Sequence, residues 1–330
     1  MFGLNVPKLL MKRVNLWMAV VTLAAISGGC AGGAVSKKTP VPHIERPVAQ
    51  DASREELLDK YNAFASRVVT LNATVEVKPT AGSKYSGLIE EYHEAKAFLL
   101  ASRPANVRMI GQAPVIGKTI FDMTSDGNQF EVWLPTKNKF LVGEVARERS
   151  SDKPLENLRP QHLLDALLWQ EIRKEETLLL EEFNDENGRF YVLTELRGGR
   201  STEIARRIWF DRADLNVVRL ESFGPKGVLV SDVRFSDWQP LTDAPLPANG
   251  PAAFPRTVRI DRPHDDYRLD LQFSKIVLNT ELEAARFQLA QPAGSELVRV
   301  TANDTTKPSA PGFKPQGSSP GGQTPRGRMP

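Results

Sequence analysis

The chain has 330 residues, enough for one large or two small domains with a real core, and its 41% apolar and 25% charged content is ordinary for a soluble globular protein. Its formal charge is +3, but Lys8, Lys12 and Arg13 lie in the first 29 residues, which hold no Asp or Glu, leaving 40 basic against 40 acidic residues in the remainder. That balance leaves no basic face to support a nucleic-acid partner, and the single cysteine, Cys30, excludes an intrachain disulfide.

Met1 to Arg13 is a basic leader. Val14 to Ile26 is an apolar run of signal-peptide length, shorter than the ~20 residues of a membrane span. Ser27-Gly28-Gly29-Cys30 follows and resembles a bacterial lipobox, with Ser27 where an aliphatic residue is usual. The resemblance implies a signal peptide over residues 1–29, acylation of Cys30 and anchoring at a membrane. Two or three acyl chains hold a protein stably, at ~0.8 kcal/mol per buried methylene. Ala31 rather than Asp after the cysteine favours the outer membrane. Residues 30–52, rich in Gly, Ala, Pro and Lys, read as a lipidated tether.

A folded domain is expected over residues 53–300. Ser53-Arg54-Glu55-Glu56 is a capping box, and Leu57, Leu58, Tyr61, Phe64, Ala65 and Val68 form one helical stripe. Thr70 to Lys78 alternates as a strand, Pro79 to Lys84 turns, and Tyr85 to Arg103 supplies one long bent strand or two. Ala101 to Gly143 holds four strands separated by Ala-Pro-Val-Ile-Gly, Ser-Asp-Gly-Asn and Pro-Thr-Lys-Asn turns.

After a charged stretch, Pro160 opens a second helix over Gln161 to Arg173. Its wide apolar surface fits either a helix buried on the sheet or a lid over a cavity mouth. Strands then follow at Leu178–Phe183, Arg189–Arg197, Glu203–Asp211, Val217–Phe223, Val228–Trp238, Phe254–Arg262 and Tyr267–Leu278. A helical turn at Glu281–Phe287 and a closing segment to Val300 complete the domain. Residues 301–330, rich in Pro, Gly, Ser and Thr, read as a disordered tail. About eleven antiparallel strands with few helices predict a mainly β fold: one strongly curved sheet or open β-barrel.

Three motifs carry a family resemblance. They are Arg103-Pro104 with Val107-Arg108-Met109; Arg108 through Gly117 (R-M-I-G-Q-A-P-V-I-G) with Ser125-Asp126-Gly127 after it; and Ala285-Arg286-Phe287-Gln288 leading to Pro292-Ala293-Gly294. In this order they resemble the lipoprotein-localization-factor superfamily of the periplasmic carrier LolA and the outer-membrane receptor LolB. The resemblance covers roughly Glu55 to Val300. It implies an open barrel of about eleven strands with a helical lid and a concave side that takes acyl chains. It places Arg103 where the carrier holds its lid shut; the alternative is a surface arginine at a strand end. It places Val115 and Ile116 on the receptor's protruding apolar loop, facing a membrane or partner; the alternative is that both fold into the core.

Catalytic chemistry finds no support. His43, His93, His162 and His264 are scattered, no zinc-type spacing or nucleophile elbow occurs, and His264-Asp265-Asp266 reads as a hydrated turn. No enzyme activity, cofactor or metal is expected. The expected function is binding of acyl chains in an apolar groove lined by Val107, Met109, Phe121, Met123, Phe130, Val132 and Leu134. The expected partners are acylated lipoproteins or lipids, the membrane through Cys30, and a periplasmic carrier protein. The competing expectation is a structural or signalling lipoprotein whose curved sheet is filled by its own side chains and docks a protein.

Overall fold

The computed structural model describes residues 47–83, 88–145, 157–198, 202–241 and 251–300. The expected signal peptide, Cys30, most of the tether and the tail at 301–330 lie outside these residues. No helix among the described residues is long and apolar enough to cross a membrane.

Among the described residues, fifteen strands form a single sheet. They are β1 (Thr70–Ser83), β2 (Leu88–Glu91), β3 (Ala95–Ser102), β4 (Asn106–Gln112), β5 (Thr119–Ser125), β6 (Gln129–Leu134), β7 (Lys139–Glu144) and β8 (Thr177–Asn184), then β9 (Arg189–Arg197), β10 (Glu203–Asp211), β11 (Val217–Phe223), β12 (Leu229–Pro240), β13 (Ala253–Arg262), β14 (Tyr267–Leu278) and β15 (Glu296–Val300). The order is β15-β7-β6-β5-β4-β3-β1-β14-β13-β12-β11-β10-β9-β8, with β2 paired to β1 beside this path. Among the described residues the two end strands do not pair with each other, so the curved sheet is unclosed. Neighbours are antiparallel except β15, which joins β7 in parallel.

The expected mainly β class holds, and the strand count is corrected from about eleven to fifteen. The Tyr85–Arg103 segment is two strands, β2 and β3, and the closing segment becomes the short β15. The strand from Thr70 continues through Pro79 to Ser83, where a turn was expected. It survives the missing proline N–H because the Pro79 carbonyl still accepts from the Tyr92 N–H at 3.0 Å, beside β2.

Among the described residues, two α-helices accompany the sheet: α1 (Arg54–Arg67) and α2 (Pro160–Leu167). At the start of α1, the Ser53 side chain accepts from the Glu56 N–H while the Glu56 carboxylate accepts from the Ser53 N–H. Helix α2 is shorter than expected. Leu168 leaves helical geometry (φ −110°, ψ 80°), and this lets Trp169 turn inward while the following backbone is bonded by other elements.

One apolar core joins the helices to the inward face of the sheet. It contains Leu57, Tyr61 and Ala65 of α1, Leu163 and Leu167 of α2, Trp169 and Ile172, and inward residues of β1, β3–β5 and β9–β14. Trp169 is its centre: it stacks on Tyr61 at 5.3 Å and 7° and meets Phe64 at 4.2 Å and Phe235 at 5.1 Å. The outward face is held by opposite charges, including Arg259 with Asp270 and Arg219 with Asp232. The segment after β14 crosses this outward face. Arg108 donates to the carbonyls of Arg286 (2.9 Å) and Gln288 (3.0 Å) while paired with Asp122, and the crossing delivers β15 to β7.

Candidate functional site

Arg103 sits where the chain leaves β3, and its guanidinium reaches both helical segments. Nε donates to the Val68 carbonyl at 3.0 Å, and Nη2 donates to the Ala65 carbonyl at 2.9 Å and to the Trp169 carbonyl. The last carbonyls of α1 have no partners within the helix, and a cation suits that end of its dipole. One side chain therefore pins the end of α1 and the end of the α2 segment to the sheet. Asn62 adds a second tie between these segments: its amide donates to the Ile172 carbonyl and accepts from the Ile172 N–H, both at 2.8 Å.

Of the expected groove residues, Val107, Met109, Met123 and Phe130 are buried, at 4% exposure or less. Helix α2 packs over β4 and β5, so the three residues on those strands lie in a filled core. Phe130 is capped by the Arg159 guanidinium, 4.5 Å from its ring centre. Phe121, Val132 and Leu134 are half-buried. The register of β5 with β6 carries Phe121 and Leu134 to the end nearest the β4–β5 connection. On that connection Val115 is 95% exposed and Ile116 73%. Phe121 also lies across the Gly111 backbone, where a Cβ would fall 2.1 Å from the ring.

A sizeable cavity lies elsewhere among the described residues, between the segment after α2 and strands β9 to β11. Its volume is about 570 Å³, and none of the expected groove residues lines it. Tyr61 and Trp169 reach it from the core, and Leu220 and Phe223 add apolar wall. Arg206 crosses it, paired with Glu195 and donating to the Tyr61 hydroxyl (3.1 Å) and the Gln170 carbonyl (2.9 Å). Sequence reasoning missed Asn62, Trp169, Glu195 and Arg206 as site residues. A charged pair such as Glu195 and Arg206 breaks the apolar alternation of two strands on the same side, and that break is the signal present in the sequence.

A third polar group lies at the start of α2. His162 Nδ1 and the Tyr267 hydroxyl hydrogen-bond, and the rings stack. Burial, with Arg262 and Arg159 nearby, holds the imidazole well below its ordinary pKa, and burial pushes the Tyr267 phenol up. At the His264-Asp265-Asp266 turn, Asp265 pairs with Arg262 at 2.7 Å. No cluster of metal-ligating side chains occurs among the described residues.

No family model matches the chain, and no curated protein does. Among solved structures it is similar to a LolA superfamily protein from Nitrosomonas europaea, with 12% identity over 72% of this chain and 99% of that one and a TM-score of 0.42. It is similar to an outer membrane lipoprotein-sorting protein domain from Vibrio parahaemolyticus, with 13% identity, 71% and 97% coverage and a TM-score of 0.43. It is also similar to a DUF1329 family protein from Desulfovibrio piger, with 14% identity, 70% and 94% coverage and a TM-score of 0.42. At these values nothing about function follows from the likeness.

Proposed function

We propose that this chain is a lipid-anchored envelope protein, held through Cys30 on the periplasmic side of the outer membrane, that receives or passes on acyl chains and catalyses no reaction. The Arg103 contact supports this reading most. Helices α1 and α2 meet the sheet through apolar side chains, yet their C-terminal ends are pinned by one guanidinium to the Ala65, Val68 and Trp169 carbonyls. Such an arrangement can open when a few polar ties, those of Arg103 and Arg206, are released, exposing the apolar surface beneath. Val107, Met109 and Met123 would then meet a hydrocarbon chain in place of α2. The exposed Val115 and Ile116 would face a membrane, an acylated lipoprotein or a carrier protein, since such a pair on a loop tip marks a contact surface.

The experiment is uptake of a fluorescent acylated peptide by the purified exported protein, followed by native mass spectrometry for bound acyl groups. Arg103→Leu should speed uptake and exchange. Absence of any bound acyl chain in both the parent and the variant would sink the proposal.

A second reading draws on the packing of Val107, Met109, Met123 and Phe130. If the helices stay in place, the concave face is filled by the chain itself. The protein is then a non-transporting lipoprotein that docks a protein partner. In the same mass measurement it would be free of lipid and carry a stable protein.

A further inference from the structure

The cavity of about 570 Å³ lies within the 300–1,000 Å³ range of small-molecule sites, but its chemistry differs from that of an acyl groove. Three arginines and three acids line it. Arg206 is neutralised by Glu195 and Arg173 by Glu176. Two opposite charges are left over on different elements. Asp165 lies on α2 and receives only a long 3.5 Å contact from Gln161; Arg197 lies exposed at the end of β9. Neither makes an ion pair with another described residue. Burial raises the Asp165 carboxyl pKa against the attraction of the Arg262 guanidinium, which is itself paired with Asp265.

A plain anion would satisfy Arg197 and leave Asp165 without a partner. A plain cation would do the reverse. A molecule carrying both charges meets each, and the site as a whole is neutral. Trp169, Leu220 and Phe223 offer the apolar wall against which the rest of such a molecule would lie.

We propose that this cavity binds a zwitterionic head group, its ammonium against Asp165 and its phosphate or carboxylate against Arg197. The inference rests on the acyl-binding reading only for the source of the ligand, a zwitterionic lipid. Occupancy would also bear on the helical segment, because the Trp169 and Gln170 carbonyls beside the cavity are those held by Arg103 and Arg206.

The test is calorimetric titration of the full exported protein with three probes: phosphoethanolamine, a short-chain phosphatidylethanolamine and a short-chain phosphatidylglycerol. The ethanolamine lipid should bind about tenfold tighter than the glycerol lipid, and Asp165→Asn and Arg197→Gln should each weaken it about tenfold with unchanged circular dichroism. Equal affinity for the two lipids overturns the proposal, as does unchanged binding in both variants. Phosphoethanolamine binding as tightly as the lipid supports the site and makes its ligand a soluble zwitterion. Failure of both ethanolamine probes while an acylated peptide still binds overturns this site alone. Head-group binding without acylated-peptide binding supports the site and overturns only the acyl-carrier reading.

Discussion

Arg103 and Trp169, 66 residues apart in the chain, are joined by a hydrogen bond from the guanidinium to the indole residue's backbone carbonyl. The same guanidinium holds two carbonyls at the end of α1. The Trp169 side chain meanwhile packs on Tyr61 and Phe64 of that helix. A polar tie and an apolar contact thus converge where the two helical segments meet.

Removing that tie should loosen the helices before the sheet. Arg103→Leu is expected to cost about 2–4 kcal/mol, because several charge-assisted bonds disappear and buried carbonyls lose their partner. Arg103→Lys should recover only part, since an ammonium lacks the planar fork. Urea titration followed by tryptophan fluorescence gives the size. Amide exchange should rise in α1 first; uniform protection across the chain would refute the role given to Arg103.

Gly111 faces Phe121 so closely that any Cβ collides with the ring. Gly111→Val should cost about 1–3 kcal/mol by forcing Phe121 off its position. Phe121→Ala in the same chain should relieve much of that cost, so the pair is non-additive in thermal melts. Additive losses would mean that the ring moves aside freely.

His162 predicts a pH dependence with a definite sign. Its native pKa lies below the ordinary 6.5, so the unfolded chain takes up the proton first as pH falls. Stability from this group is present above about pH 6.5 and is lost as pH drops toward the native value. Asp165, raised from 3.8 by burial, acts oppositely, with the native state protonating first and gaining stability as pH falls toward 3.8. Thermal melts from pH 7.5 downward should therefore decline below 6.5 in the parent and flatten in His162→Gln. An identical decline in that variant would remove His162 as its source.

Val115 and Ile116 make no contribution to the core, being 95% and 73% exposed. Replacing both with Asp should change stability by no more than about 0.5 kcal/mol. On the proposed function it should abolish binding of the non-acylated domain to vesicles of neutral lipid. Retained vesicle binding would assign the membrane contact elsewhere.

Many elements were legible because their patterns are local. The Ser53–Glu56 capping box and the boundaries of β9, β10, β11 and β14 follow from caps, turns and two-residue alternation. The length of α2 was not legible. Leu168, Trp169 and Ile172 continue its apolar pattern, yet the chain leaves the helix because distant Arg103, Asn62 and Arg206 satisfy the backbone beyond it. The strand register puts the expected groove residues on one face of β4 to β6, but their alternation could not say whether a ligand or the chain's own helix covers them.

Sequence by itself determined that the chain is a many-stranded antiparallel sheet with few helices, because period and turn chemistry act within a few residues. Tertiary structure alone decided that α2 fills the face of β4 and β5, that Arg103 pins both helical segments, and that an open cavity lies beside β9 to β11. Those outcomes depend on residues brought together from far apart in the chain, through packing and hydrogen bonds that leave no periodic trace.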